Sequence, residues 1–181
     1  MPTPPSGRLI EPARIRTARL DLLPLRVEHA DDMAVVLADP ALHTFIGGAP
    51  DDAVALRARY LRMLAGSPEP GVSWCNWVVR LGREAHAPLT GTVQATVVPG
   101  ASGPVAEIAW VVGTAWQGRG IAKEAARGLV EWLAGQDVRT VIAHIRPDHA
   151  ASAAVAAAAG LTATDEVHDG ELRWRSAAPA R

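Results

Sequence analysis

The chain has 181 residues, enough for one domain with a substantial core, and its 49% hydrophobic and 20% charged content is ordinary for a globular protein. A formal net charge of −1 excludes a general electrostatic attraction to nucleic acid or to an anionic membrane. The single cysteine, Cys75, excludes an intramolecular disulfide and a cysteine-based metal site.

The N-terminus carries prolines rather than the apolar segment of a secretory signal, and no apolar run approaches the length of a membrane-spanning helix. We therefore expect a cytoplasmic protein. Cys75 lies in an apolar, strand-like run, which favours a buried and unreactive thiol.

The chain divides into a flexible, proline-rich arm over residues 1–13, one domain over 14–176 and a short tail over 177–181. Apolar periodicity and turn residues predict eleven elements within the domain. In chain order they are a strand at 19–25, a helix from 28 to the Asp39-Pro40 break, a helix capped by Asp51 or Asp52 and running to 64, strands at 74–81, 89–98 and 105–112, a helix at 121–135, a strand at 140–145, a helix at 148–159, and strands at 162–167 and 172–176.

The resulting order is β-α-α-β-β-β-α-β-α-β-β, which indicates an α+β fold with a sheet between helices. Three successive strands joined by short polar turns favour an antiparallel meander in its middle. The final two strands flank a His168-Asp169-Gly170 turn and predict a terminal hairpin.

A loop with glycines at 118 and 120 joins the 105–112 strand to the following helix. The first N–H groups of a helix have no partner inside it, and glycine lets a ligand approach the backbone closely. Such a loop favours a phosphate or pyrophosphate. A plain strand-to-helix turn is the alternative that the loop alone leaves open.

Two phrases in this order resemble the GNAT N-acetyltransferase superfamily. Gln117-Gly118-Arg119-Gly120-Ile121-Ala122 matches the family's Gln/Arg-x-x-Gly-x-Gly/Ala phrase. The second phrase, Asn-x-x-Ser/Ala with an aromatic residue four positions later and then Gly-Phe/Leu, is represented by His149, Ser152, Ala156 and Gly160-Leu161. The segments 16–25 and 106–110 resemble the ribosomal-protein N-terminal acetyltransferase (RimJ/RimL-like) branch, and the similarity covers residues 14–176.

This resemblance implies a mixed, mostly antiparallel sheet flanked by helices, and acetyl-CoA as the acetyl donor. The loop N–H groups would bind the pyrophosphate, and the end of the 105–112 strand would hold the pantetheine arm at an edge opened by a bulge. The N–H near Val111 would stabilise the oxyanion. The coenzyme contacts implied are Trp110, Val111, Val112, Gln117, Gly118, Arg119, Gly120, Ile121, Ala122, His149 and Ser152.

Acetyl transfer to an amine needs a neutral nitrogen, and a base supplies it. Glu107, in the strand before the glycine loop, is the first candidate, and His144 on the next strand is the competitor. A solvent-facing glutamate and a satisfied core histidine are the structural alternatives.

The residue expected to protonate or hydrogen-bond the leaving thiolate differs from the family pattern. Ala156 stands where many members have tyrosine, so Ser152 is the candidate hydrogen-bond donor to the sulfur, against the alternative of a helix serine bonded to its own turn. His149 replaces an asparagine and either contacts the pantetheine or protonates the thiolate near pH 6.5.

The acceptor is expected to be an amine: a peptide N-terminus, a polyamine, an amino acid or an amine-bearing antibiotic. Its walls would come from the first two helices, the 45–50 loop and the hairpin near 167–172. No metal, nucleic acid or membrane partner is expected, and a homodimer is left open. The competing function is a non-catalytic acetyl-CoA-binding sensor, whereas a P-loop is excluded because no Gly-Lys-Ser/Thr follows the glycines.

Overall fold

The computed structural model describes residues 9–177, which build one eight-stranded sheet with helices packed on its two faces. The strands are β1 (Ile15–Arg16), β2 (Leu20–Pro24), β3 (Ser73–Leu81), β4 (Leu89–Val98), β5 (Val105–Val112), β6 (Thr140–Ile145), β7 (Leu161–His168) and β8 (Glu171–Ser176). Their order in the sheet is β1-β2-β3-β4-β5-β6-β8-β7, and only β5 and β6 pair in parallel. The predicted mixed, mostly antiparallel α+β fold is confirmed.

The helices are α1 (Ala30–Val36), α2 (His43–Ile46), α3 (Ala53–Leu64), α4 (Ile121–Ala134) and α5 (Ala150–Ala158). All eleven predicted elements are present close to their expected bounds, and Asp52 is the residue that caps α3, with its Oδ1 accepting from Ala55 N at 2.8 Å. The structure adds β1 and α2. Both are too short to produce the repeated apolar spacing that a sequence pattern requires.

The predicted arm needs a correction at its end. Residues 1–8 lie outside the described part of the chain, but Ile10 N donates to Ser73 Oγ at 2.9 Å and Trp77 Nε1 donates to Ala13 O at 2.8 Å. Residues 10–13 therefore run along β3. Their proline-rich sequence hides this because the hydrogen bonds use side chains of β3 rather than a strand ladder. The predicted tail from residue 178 onward also lies outside the described residues.

Two apolar clusters fix the helices to opposite faces of the sheet. The buried stripe of α4, with Ile121, Leu129 and Leu133 at most 1% exposed, packs on one face together with α5. Helices α1 and α3 pack on the other face around Met33 and Val78. The start of α4 is thereby held at the end of β5, where the glycine loop joins them.

Strands β5 and β6 are hydrogen-bonded partners over only three residues of β5. Val105, Ala106 and Glu107 pair with residues 140–142, whereas β6 pairs with β8 from Ile142 to Ile145. The bulge expected in β5 is wrong, because β4 and β5 stay in regular register from Val98↔Val105 to Gly91↔Val112. The sheet opens because β6 changes partner, not because β5 carries an extra residue.

Candidate active site

The opening between β5 and β6 contains a cleft of about 500 Å³. One wall is the end of β5, which has no neighbouring strand on that side, and the other is the first turns of α5. Its lining includes ten of the predicted coenzyme contacts: Trp110, Val111, Val112, Gln117, Gly118, Gly120, Ile121, Ala122, His149 and Ser152. The cleft lies within the range typical of small-molecule sites.

The glycine loop forms the end of this cleft at the N-terminus of α4. Gly118 and Gly120 both have φ of 75°, a left-handed conformation that side chains other than glycine adopt only with strain. A Cβ atom built on Gly118 would point into open space. The loop therefore presents bare backbone beside the positive end of the helix dipole, which suits an anionic group.

Two side chains hold the loop in place. Gln117 Nε2 donates to Val112 O at 3.0 Å and so ties the loop to the last residue of β5. Arg19 Nη1 donates to Arg119 O at 3.1 Å, while its Nε is 2.7 Å from Glu124 Oε2 in the first turn of α4. Gln117 and Arg19 therefore brace the loop through their side chains. The brace by Arg19 was missed by sequence reasoning, because a pair separated by 105 residues leaves no local pattern.

The Arg119 side chain lies outside the cleft. Its guanidinium carbon sits 5.2 Å from the centre of the Trp116 ring, and Arg119 is absent from the cleft lining. Arg119 is therefore the one predicted coenzyme contact that the cleft lining does not include.

Helix α2 covers one side of the cleft through an aromatic stack. The rings of Phe45 and His149 are parallel, with centroids 3.8 Å apart, and the Arg146 guanidinium lies 5.4 Å from the Phe45 ring centre. Burial lowers the pKa of His149 below its usual value of 6.5, with a further lowering from Arg146 that Asp148 opposes. His149 is therefore largely neutral near pH 7. Phe45 was expected on the acceptor side, and the structure also brings it to this cleft.

Glu107 and His144 are hydrogen-bonded to each other on the sheet face that carries Val111. His144 Nδ1 lies 2.7 Å from Glu107 Oε1, and Arg173 Nε donates to His144 Nε2 at 3.3 Å. A carboxylate only accepts and an arginine only donates, so this pattern corresponds to a neutral imidazole with its proton on Nδ1. Both ring nitrogens are occupied. Glu107 keeps one free carboxylate oxygen, and its side chain is 51% exposed.

Two further cavities share lining residues with each other, and Val111 lines both of them as well as the cleft. The inner one, of about 200 Å³, is lined by α3 and by the sheet floor, and the outer one, of about 640 Å³, is bounded by the 46–51 loop. His43, Asp51 and Arg59 line both cavities. The helices and the loop thus form walls here as expected. The hairpin at 167–172 lines none of these three spaces, so its predicted role as a wall is not supported by the geometry.

The two positions of α5 considered for contact with the thiolate have different surroundings. Ser152 lines the cleft in the first turn of α5, whereas Ala156 is fully buried in the core one turn later. No tyrosine hydroxyl is available from that position. Glu107 and His144 lie outside the lining of the cleft, with Ala109 the next residue on their face of β5.

Within residues 9–177, no group of His, Cys, Asp and Glu side chains is arranged to hold a metal ion. No helix in the same range combines the length and apolar character needed to cross a bilayer.

Comparison with known proteins gives one family and many similar structures. The sequence profile described as "Acetyltransferase (GNAT) domain" matches residues 19–162. A search of curated protein sequences finds no significant match.

Three solved structures illustrate the similarity. An acetyltransferase from Agrobacterium tumefaciens strain C58 is 27% identical, with a TM-score of 0.68 over 91% of this chain and 94% of that one. RimJ of Mycobacterium smegmatis, in complex with CoA-disulfide, is 19% identical, with a TM-score of 0.73 over 91% and 87%. RimL, a ribosomal L7/L12 alpha-N-protein acetyltransferase in complex with coenzyme A, is 17% identical, with a TM-score of 0.72 over 90% and 97%. The chain belongs to the GNAT acetyltransferase family.

Proposed function

We propose that this GNAT acetyltransferase binds acetyl-CoA in the cleft between β5 and α5 and transfers the acetyl group directly to a primary amine in the adjoining cavities. The supporting observation is the position of Val111, which lines the cleft and both cavities. A thioester and an amine entering from opposite sides would meet at this residue. Direct transfer in a ternary complex then needs no covalent enzyme intermediate.

The coenzyme would be held mainly by backbone groups. The N–H groups from Gly118 to Ala122 suit the pyrophosphate, because they lie at a helix N-terminus with two glycines in the left-handed region. The unpaired edge of β5 suits the pantetheine amides in the manner of an added strand. The N–H of Val111 would stabilise the oxyanion of the tetrahedral intermediate.

Glu107 is proposed as the general base and His144 as the residue that positions it. His144 has both nitrogens engaged, whereas Glu107 has a free oxygen. Along a strand each residue advances about 3.3 Å, so the four steps from Glu107 to Val111 span about 13 Å. The proton would therefore travel through water from the amine to Glu107. A lysine-type amine, with a pKa of about 10.4, needs this help more than an α-amine at about 7.7–8.0.

Ser152 is proposed to donate a hydrogen bond to the thiolate, since it lines the cleft near His149. His149 is proposed as a coenzyme contact rather than an acid, because its lowered pKa leaves little imidazolium near pH 7. A thiolate is much less basic than an alkoxide, so a single hydroxyl donor is sufficient help for its departure.

A peptide N-terminus or a small-molecule amine is proposed as the acceptor, in a cytoplasmic setting. RimL is described as acting on a protein α-amine, which favours the first of these by similarity. A homodimer is compatible with the proposal, and sedimentation equilibrium would measure it.

The test is release of free thiol when the protein is incubated with acetyl-CoA and a panel of amines, with the acetylated product identified by mass spectrometry. Cys75 is fully buried, and burial raises the pKa of its thiol to about 11, so it contributes little to the thiol signal. Amine-dependent thiol release supports the proposal. Tight acetyl-CoA binding without release for any amine would favour a sensor instead.

A further inference from the structure

The inner cavity gathers buried polar atoms that lack partners. Tyr60 is 3% exposed, and its hydroxyl has no hydrogen-bond partner within residues 9–177. The buried His43 Nε2 also has no partner in this part of the chain. Both residues line the cavity of about 200 Å³ beside Val111. Leaving a buried polar group unpaired costs stability, because the group gives up its bonds to water without replacing them. Among the described residues, Asp51 Oδ2 is a third buried atom of the lining without a hydrogen bond, although it lies 2.8 Å from Arg59 Nη2. Unpaired polar groups around one cavity indicate a ligand that supplies the missing bonds.

The protonation states of the two groups define what that ligand must offer. His43 Nδ1 lies 3.0 Å from Gly47 O, and a carbonyl only accepts, so Nδ1 carries a proton. In the neutral ring with this tautomer, Nε2 is an acceptor. Burial raises the pKa of Tyr60 to about 12, so its hydroxyl stays protonated and able to donate. Tyr60 therefore offers a donor to the cavity, and His43 in its neutral form offers an acceptor.

The charge of the cavity favours a neutral group between them. Asp51 is the acidic residue in the lining, and its Oδ2 is 2.8 Å from Arg59 Nη2, so the two charges offset each other. The rest of the wall is largely apolar. Its apolar members are Leu25, Leu37, Ile46, Leu56, Met63, Trp77, Val93 and Val111. An ion placed here would lose hydration without a net opposite charge, which is costly.

We propose that this cavity is an acceptor subsite for a hydroxyl group: the acceptor is a primary amine whose short substituent ends in a hydroxyl. Tyr60 donates to the hydroxyl oxygen, and the hydroxyl donates to His43 Nε2. The volume, about that of six or seven waters in the liquid at ~30 Å³ each, holds a short substituent while the amine stays near Val111. This inference rests on the proposed function, because it assigns the acceptor of the same site.

The experiment compares two acceptor pairs that differ in hydroxyl against methyl, using wild-type protein and Tyr60→Phe. One pair is 2-aminoethanol with propylamine, and the other is a tripeptide that begins with serine and its 2-aminobutyrate analogue. If the effect of Tyr60→Phe appears only in the first pair, the acceptor is a free amino alcohol; if it appears only in the second pair, the acceptor is a peptide. Comparing each acceptor with itself across the two proteins removes the intrinsic reactivity of its amine.

In at least one pair, Tyr60→Phe is expected to lower kcat/KM for the hydroxyl acceptor about 3- to 10-fold, which corresponds to the loss of one hydrogen bond. For the methyl acceptor of the same pair, kcat/KM should change less than about 2-fold. His43→Gln is expected to show the same selective loss. An equal change for the hydroxyl and methyl members of both pairs overturns the subsite and leaves acetyl transfer standing.

If no amine reacts, the proposed function fails separately, and dissociation constants of the same amines from calorimetry decide the subsite by the same comparison. Selective weakening of the hydroxyl amine in Tyr60→Phe still supports the subsite. Equal affinities for hydroxyl and methyl amines in the wild type overturn it. Melting temperatures of Tyr60→Phe and His43→Gln identify any loss caused by unfolding.

Discussion

His144 Nδ1 lies 2.7 Å from Glu107 Oε1, so the two residues that compete as general base in the sequence are hydrogen-bonded partners in the structure. Arg173 occupies the other nitrogen of His144. This geometry supports the two different roles that we propose. Glu107, which offers a free oxygen, is the proposed base, and His144 is proposed to fix its orientation.

Glu107→Gln is expected to lower kcat by about 10²-fold, the low end of what a positioned base contributes. The loss should be largest below neutral pH, because fewer amines are neutral there without help. The measurement is the pH profile of amine-dependent thiol release. A profile that keeps its shape and height would remove Glu107 from the mechanism.

His144→Asn is the matched test of positioning. It removes the contact with Glu107 but leaves the carboxylate, so a smaller loss of kcat than in Glu107→Gln is expected. The double variant should be no slower than Glu107→Gln alone, because the two residues act as one unit. Losses that multiply would show that His144 acts independently.

Gly91→Ala tests the fixed position of the β5 edge. A Cβ on Gly91 would lie 2.2 Å from Val111 O and 2.9 Å from Val112 Cα, both backbone atoms. Overpacking of this kind typically costs about 1–3 kcal/mol of unfolding free energy, and a shifted β5 edge should also weaken acetyl-CoA binding. Chemical denaturation and calorimetry measure the two effects.

Gly135→Ala is the control for Gly91→Ala. Gly135 ends α4 with φ of −68°, where alanine is favourable, and the nearest atom to its added Cβ is Trp132 O at 3.3 Å. Its stability and its acetyl-CoA affinity should change little. Equal damage from the two substitutions would contradict a special role for the approach of Gly91 to Val111.

Asp21 should make the protein sensitive to acid. Its side chain is fully buried between Arg14 and Arg80, and these partners lower its pKa from 3.8 to about 2. Because the pKa is lowered in the folded state, the contribution is complete above the unfolded value and is lost as pH falls toward about 2. Its size is roughly 2 kcal/mol at about 1.4 kcal/mol per pH unit.

The measurement is the free energy of unfolding from about pH 2 to 7 in wild-type protein and Asp21→Asn. The variant should be less stable near neutral pH and should lose less stability on acidification. Asp31→Asn is the control, because its ion pair with Arg57 is exposed and such pairs are worth little. Parallel acid curves for wild-type protein and Asp21→Asn would contradict the assignment.

His149→Ala is expected to weaken coenzyme A binding about 2- to 10-fold, the range of one lost hydrogen bond, with little change in kcat near pH 7. The lowered pKa of His149 explains why its loss as an acid should not matter there. In wild-type protein its folding contribution is present above pH 6.5 and is lost as pH falls through the lowered value. His149→Asn should lack this acid loss and keep the affinity. An unchanged affinity in His149→Ala would remove the contact.

The sequence predicts the helices and strands well because their apolar residues recur at regular spacing, as the buried positions of α4 illustrate. The glycine loop between β5 and α4 was also predictable, since Gly118 and Gly120 flank Arg119 in a recognisable phrase. Contacts between distant segments were not. The pairing of Glu107 with His144 depends on where β6 leaves β5, and the stack of Phe45 on His149 depends on a four-residue helix without periodicity.

The inner cavity was hidden for the same reason. Tyr60 belongs to the apolar stripe of α3, and the sequence gives no sign that its hydroxyl lacks a partner. Burial of a polar atom becomes visible only when the neighbouring elements are in place. The proposed acceptor side is therefore the part for which the structure added most.

The most direct test of the account is the acetyl-CoA dependence of amine-dependent thiol release in wild-type protein and Gly118→Val. The substitution places a side chain where the loop faces open space and strains a backbone with φ of 75°. The account predicts turnover in the wild type and a KM for acetyl-CoA raised at least about 10-fold in the variant, with the fold retained at a cost of about 1–3 kcal/mol. An unchanged KM in Gly118→Val would contradict a coenzyme site at this loop, and no thiol release with any amine would contradict acetyl transfer.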